Sequence, residues 1–305
     1  MTARWDPYIA KWKRILADER LAPRTISFYT ETIRAVLSIM DSIGLRTHPK
    51  KIENEDVGKL MDYLASHDYA IQTRKGYLAT LRKYCVAFEN PTVHQWQKIR
   101  FPHDNRPHAD WLTSEQAHDL LSAELTPIQR VVIHLELCLG FRHIEVIRLR
   151  TNDIHWDTET IDVRGKGSEG GKPRVVPFTH GSYDVLGMWR TVRLGMTSMC
   201  KLRHPKTFED PEEFIVWEAS GILHPYSEEG YGLDKVVTLP LSRQLGFHFS
   251  NHTLRRTFGR TLFRADVPVP TIAKILGHES TDVTLKYLGV DLDDMRSAMR
   301  RLDYD

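Results

Sequence analysis

Apolar side chains recur at helical spacing through most of the first 89 residues. Tyr8, Ile9, Trp12, Ile15 and Leu16 mark one stripe, and Ile26, Tyr29, Ile33, Val36, Leu37 and Met40 mark a second that stops before Gly44. Val57, Leu60, Met61 and Leu64 predict a third helix, and Tyr77, Leu78, Leu81, Tyr84, Cys85 and Phe88 a fourth. Amphipathic helices that cannot bury their stripes alone must pack on one another, so residues 1–89 are expected to form a small bundle. The period then breaks. Residues 90–110, NPTVHQWQKIRFPHDNRPHAD, hold three prolines and no apolar stripe and read as a linker.

A second domain is expected over 111–305. Thr113 and Gln116 have the spacing of a capping box, a helix over 127–139 stops at Gly140, and a short helix ends near Arg150. Alternation replaces the helical period in IHW, IDVRG and VVPF, with GKGSEGGK between the last two, which predicts strand–turn–strand with Lys166 opening the turn. One helix is expected over 180–194, whereas 195–232 reads as loop with FIVW its only strand. Three further helices are expected: one capped by Asn251 and running to about Ala265, one over 269–276, and one capped by Thr281 that carries Tyr287. Leu292, Met295, Met299 and Leu302 form a last apolar set. The predicted class is mainly α with a small antiparallel β element, in two domains.

Composition narrows the setting. No apolar run approaches the roughly 20 residues that cross a bilayer, and MTARWDPYIAKWKRIL lacks a secretory pattern, so the chain reads as cytoplasmic with no membrane partner. Cys85, Cys138 and Cys200 are widely spaced and form no CxxC, which indicates neither a disulfide framework nor a zinc site. The formal net charge of +2 hides an asymmetry: residues 1–110 carry 18 Lys and Arg against 13 Asp and Glu, and the remainder carries 24 against 27. Arg24, Arg34, Arg74, Lys75, Arg82 and Lys83 lie on the polar faces of the front helices, where they either line nucleic acid or are solvated.

The chemistry concentrates in the last third, where HTLRRTF (252–258), LGHES (276–280) and TLKYLGV (284–290) follow at short intervals. His252 and Arg255 share a helical face, Gly277 can close a helix in the left-handed conformation and project His278, and GFRHIEVIRL upstream adds Arg142. Two arginines, two histidines and a tyrosine suit a phosphodiester, because guanidinium pairs bidentately with phosphate oxygens and a phenol can act as a nucleophile. A metal-dependent alternative rests on 15 histidines and the His248–His252 spacing, but no H-E-x-x-H or carboxylate cluster supports it. No cofactor is indicated.

These motifs, in this order, resemble the tyrosine recombinase family of phage integrases and Xer-like proteins. The resemblance covers about 111–290 and implies a catalytic set of Arg142, Lys166, His252, Arg255, His278 and Tyr287, with Glu145 as the acidic partner in the Arg142 block. Phe141, His143 and Ile144 depart from the family's commoner residues, and the long turn leaves Lys172 as an alternative to Lys166, which keeps the Gly-Lys-Gly context. The resemblance further implies that the front bundle is a core-binding domain, that double-stranded DNA sites and a synaptic homo-tetramer are the partners, and that accessory proteins can join them. It implies cleavage through a 3′-phosphotyrosyl link, in chromosome-dimer resolution or in movement of a mobile element. With no domain expected ahead of the bundle, a simple two-domain recombinase fits better than an integrase with arm-site binding. Two alternatives remain: a type IB topoisomerase, disfavoured by motif spacing, and a DNA-binding protein that keeps the fold without activity.

Overall fold

A computed structural model describes residues 3–96, 99, 101, 111–165, 173–227, 232–289 and 292–300. The chain divides into two compact units, Met1–Arg106 and Pro107–Asp305. In the first unit, α1 (Asp6–Asp18) and α2 (Pro23–Ser42) each carry proline in the first turn, where its missing N–H costs no helical hydrogen bond. α3 (Asn54–Ser66) is opened by Asp56, whose carboxylate accepts from the Glu53 backbone N–H at 2.8 Å, and α4 (Ile71–Ala87) completes the bundle. The predicted stripes meet in one core that includes Trp12, Leu37, Met40, Leu60, Leu64 and Tyr84.

That core reaches beyond residue 89. Asn90 is buried and donates to the Pro49 and Ile52 carbonyls at 2.6 and 2.9 Å. Val93 and Trp96, in the stretch read as linker, are buried beside it, and Ile99 and Phe101 pack against it. Residues 102–110 lie outside the described residues.

The second unit begins with α5 (Ser114–Ser122), capped by Thr113 and Gln116, and α6 (Pro127–Ile133), capped by Thr126 and Gln129. The helix expected over 127–139 changes character at its end: His134–Cys138 form a π-helical turn before Gly140. α7 (His143–Ile147) follows, then β1 (Ile154–His155), β2 (Thr160–Arg164) and β3 (Pro173–Pro177) in an antiparallel sheet of order β1-β2-β3. Ile161 faces Val176 and Val163 faces Arg174 across the β2–β3 ladder. The buried Ile161, Val163 and Val176 turn the sheet's apolar face into a core shared with Val131, Leu135, Phe141, Val146, Leu186 and Leu254.

Three parts of this unit differ from expectation. α8 runs Ser182–Arg203, not 180–194, because its buried face includes Arg193, a polar interruption that hides the stripe. Arg193 is satisfied there by Asp210 at 2.8 Å and by the Glu213 carbonyl at 3.1 Å. Within 195–232, β4 (Val216–Ala219) pairs with β5 (Ile222–Pro225), so this stretch holds a hairpin as well as the end of a helix. α9 (Thr238–Leu245) occupies a stretch for which no element was expected.

The chain closes with α10 (Asn251–Arg264), α11 (Val269–Leu276), α12 (Thr281–Leu288) and α13 (Leu292–Met299). The caps fall one residue earlier than expected. Ser250 accepts from the Thr253 N–H, and Ser280 from the Val283 N–H, because each serine has the extended backbone an N-cap needs. Phe258, Ile272, Leu276, Tyr287 and Leu288 form a second, smaller core between these helices. Asp294 on α13 pairs with the buried Arg260 at 2.6 Å, which ties that helix to α10, while Met295 and Met299 are 54% and 66% exposed. Leu302 and the Leu292 side chain lie outside the described residues. Among the described residues no helix is long and apolar enough to cross a membrane.

Candidate active site

Arg142 caps α7 at its first turn. Its backbone N–H donates to Glu145 Oε2 at 2.8 Å, and its Nη1 reaches back to Glu145 Oε1 at 2.7 Å, closing a reciprocal box. Nη2 donates to the Gly277 carbonyl at 3.0 Å, so the same guanidinium bridges α7 to the turn after α11. With its side chain 28% exposed, Arg142 is held on one edge and open to solvent on the other.

Arg255 lies deeper, at 1% exposure. Its Nη1 donates to the Gly140 carbonyl at 2.5 Å and lies 3.5 Å from Glu145 Oε2, and its Nη2 donates to the Leu276 carbonyl. The carbonyls it uses belong to Gly140, just past the π-helical turn, and to Leu276, the last residue of α11, whose carbonyl has no partner within its helix. Gly277 has a φ of +62°, the left-handed close expected of it, and delivers His278 to the site. The His278 Nδ1 is 2.9 Å from Thr284 Oγ1 on α12.

Tyr287 sits between the histidines at 9% exposure. Its ring meets the His252 ring at 5.6 Å and the His278 ring at 5.0 Å, both nearly edge-on, and the Arg256 guanidinium lies 5.5 Å from its centre. The Tyr287 hydroxyl is buried with no hydrogen-bond partner among the described residues. Arg255 acts on that hydroxyl without reaching full hydrogen-bond geometry, which leaves hydrogen-bonding capacity that a bound ligand can satisfy. Five of the six residues named from sequence therefore converge on one pocket: Arg142, His252, Arg255, His278 and Tyr287. The sixth, Lys166, lies outside the described residues, as does Lys172.

Residues 110–293, more than half the chain, match the phage integrase family. The chain belongs to that family. Among curated phage integrase and Xer relatives, tyrosine recombinase XerC of Oceanobacillus iheyensis is 26% identical over 294 residues, covering 92% of this chain and 90% of its own. Tyrosine recombinase XerA of Saccharolobus solfataricus is 21% identical, covering 90% of this chain and 84% of its own. A Tn1549 transposon integrase in complex with circular intermediate DNA superposes with a TM-score of 0.65 at 16% identity over 97% of this chain and 98% of the integrase. XerH recombinase bound to palindromic difH substrate gives 0.63 at 16% over 91% of this chain and 79% of its own. At these identities the structural likeness is one of fold.

The electrostatics of this integrase-family pocket follow from burial and positive charge. Burial, with Arg255 and Arg142 adding to it, pushes the His278 pKa down to about 4, and burial with Arg256, Arg255 and Arg142 lowers that of His252. Both imidazoles are neutral at pH 7. Burial pushes Tyr287 up to about 12 against the opposing pull of Arg255 and Arg256. Arg255 falls to about 10 through burial and the neighbouring Arg142, and stays charged. Glu145 is buried, which favours its neutral form, but Arg174, Arg255 and Arg142 outweigh that and hold it below the usual carboxylate range.

Three further side chains belong to the site. Arg174 on β3 pairs with both Glu145 oxygens at 2.8 Å, Thr284 contacts His278, and the Arg256 guanidinium lies over the Tyr287 ring. Thr284 alone had a local signal, standing three positions before Tyr287 on the same helical face. Among the described residues no group of three His, Cys, Asp or Glu side chains could hold a metal.

Proposed function

We propose that this chain is a site-specific tyrosine recombinase that cuts and rejoins double-stranded DNA through a covalent bond at Tyr287. The observation that carries the reading is the buried, unpartnered Tyr287 hydroxyl in a pocket with two arginines and two neutral imidazoles. The Tyr287 oxygen attacks phosphorus as the bond to the 5′-oxygen breaks, leaving a 3′-phosphotyrosyl link and a 5′-hydroxyl. That hydroxyl, or one from a second strand, reverses the step, so no external energy source enters.

Each residue has a part that its chemistry supports. Arg142 and Arg255 neutralise the non-bridging oxygens as charge builds, and His278 donates to the same oxygens. A phenol shifted to about 12 needs a base, and His252, neutral and edge-on to the Tyr287 ring, takes its proton. Lys166, which lies in the sequence between β2 and β3, protonates the 5′-oxygen as it leaves. The front unit acts as the core-binding domain through its basic helical faces, and the assembly on DNA is a homo-tetramer in the cytoplasm, joined by accessory proteins where the reaction is regulated.

The test is adduct trapping on duplexes nicked near the cleavage position, with sites found by mapping adducts across the source genome. Wild type should give a covalent protein–DNA band on a denaturing gel, and Tyr287→Phe none. Arg255→Ala should slow adduct formation by roughly 100- to 1000-fold, the range for losing one oxyanion donor. No adduct from wild type on any duplex it binds would replace this reading with a DNA-binding protein that keeps only the fold.

A further inference from the structure

Arg174 stands beside Arg142, Arg255 and Arg256 at the site, with its side chain 9% exposed. Both its terminal nitrogens pair with Glu145, Nη1 with Oε1 and Nη2 with Oε2, each at 2.8 Å, in a fork that spends the whole guanidinium edge on one carboxylate. Its Nε donates to the Ile275 carbonyl at 2.8 Å, and its plane lies 5.9 Å from the centre of the Phe141 ring. A Cβ on Gly277 would come within 3.1 Å of Arg174 Cδ, so the turn that delivers His278 is seated directly against this side chain.

The charges at the pocket define what the fork accomplishes. Among the described residues, Glu145, fully buried, is the carboxylate that Arg142, Arg174 and Arg255 share. Without Arg174, its full negative charge would fall on Arg142 and Arg255. Resting on the recombinase reading above, we propose that Arg174 is a positioning residue that neutralises Glu145, so that the charges of Arg142 and Arg255 stay available to the scissile phosphate. A bare carboxylate about 6 Å from a phosphate, at an effective dielectric of about 20, changes a rate by roughly 100-fold.

The experiment uses the full chain and a nicked duplex carrying a site at which wild-type adducts map. Arg174→Met should slow adduct formation about 100-fold, and Arg174→Lys, which keeps the charge without the fork, should stay within about tenfold of wild type. Adding Glu145→Gln to Arg174→Met should restore about tenfold, because it removes the charge Arg174 had balanced. On a duplex with a methylphosphonate at the scissile position, which carries no charge there, the Arg174→Met deficit should shrink to a few-fold. A deficit equal on both duplexes and untouched by Glu145→Gln would make Arg174 a structural pin and overturn the proposal. A second arm needs no DNA. The NMR titration of His278 should move up in Arg174→Met and return toward the wild-type value when Glu145→Gln is added, since Arg174 and Glu145 act on it with opposite sign. If wild type forms no adduct while His278 moves this way, the recombinase reading falls and the charge balance stands. An unmoved His278 refutes the balance itself.

Discussion

Gly140 shows how one backbone conformation reaches the chemistry. Its φ is +67°, and a Cβ built there would lie 2.3 Å from a Phe258 ring carbon. Its carbonyl is also the acceptor for Arg255 Nη1. Gly140→Ala therefore meets left-handed strain and a packed ring together, and should cost at least about 2 kcal/mol in urea unfolding. The displaced carbonyl should also lower adduct formation in the folded fraction, an effect that a purely global destabilisation would not produce. His134, near the other end of the same π-helical turn, controls a pH dependence. It is buried with Nε2 2.7 Å from Ser182 Oγ, and burial lowers its pKa from 6.5 to about 4. The unfolded chain binds that proton below pH 6.5 and the folded chain only near pH 4, so stability is present above 6.5 and is lost as pH falls through this window. His278 shifts in the same direction. The His134 share is about 3 kcal/mol at most. Urea midpoints measured between pH 7 and 4 should fall in wild type and fall less steeply in His134→Gln; parallel slopes would place the acid sensitivity elsewhere.

Elements that bury a continuous apolar stripe were legible along the chain, and those that bury a polar group were not. α1 and α2 follow their predicted stripes because Trp12, Leu16, Ile33 and Leu37 face one core. α8 was truncated because its buried face passes through Arg193, and α9 was missed because it buries only Thr238 and Leu241. The site divides in the same way. His252, Arg255, His278 and Tyr287 sit in short motifs whose geometry is local to α10, α11 and α12. Arg174 was hidden because its partners Glu145 and Ile275 lie 29 and 101 positions away, a juxtaposition that only the packed sheet and helices create. α13 tests the same logic at its exposed face. Its Asp294 is held by the buried Arg260, so Asp294→Ala should cost about 3 kcal/mol by leaving that guanidinium without its carboxylate. Met295→Glu with Met299→Glu should change stability by less than about 0.5 kcal/mol, since both side chains are exposed. Comparing the two variants by urea unfolding separates the anchored side of the helix from its open one.

Across the whole molecule, each unit carries its own core. The first is built around Trp12, whose ring lies 5.1 Å from that of Tyr84 and 5.9 Å from that of Tyr29. The second draws its main core from residues 112–254 and its smaller one from 258–288. The pocket residues, Arg142 to Tyr287, come wholly from the second unit, whereas the excess of basic side chains lies in the first 110 residues. Damage to one core should therefore leave the other's function standing. Trp12→Ala removes a fully buried indole and should cost roughly 3–5 kcal/mol, which for a unit of about 100 residues lowers its melting temperature by more than about 10 °C. Calorimetry should show one early transition in the variant and one at the wild-type temperature, and the His278 titration near pH 4 should be unchanged while the early transition is complete. DNA affinity should fall, and its dependence on salt should flatten, because the lysines and arginines of the front helices are then no longer arrayed on a folded surface. A single transition shifted as a whole would show that the two cores share their stability, and the salt dependence would then report the entire chain.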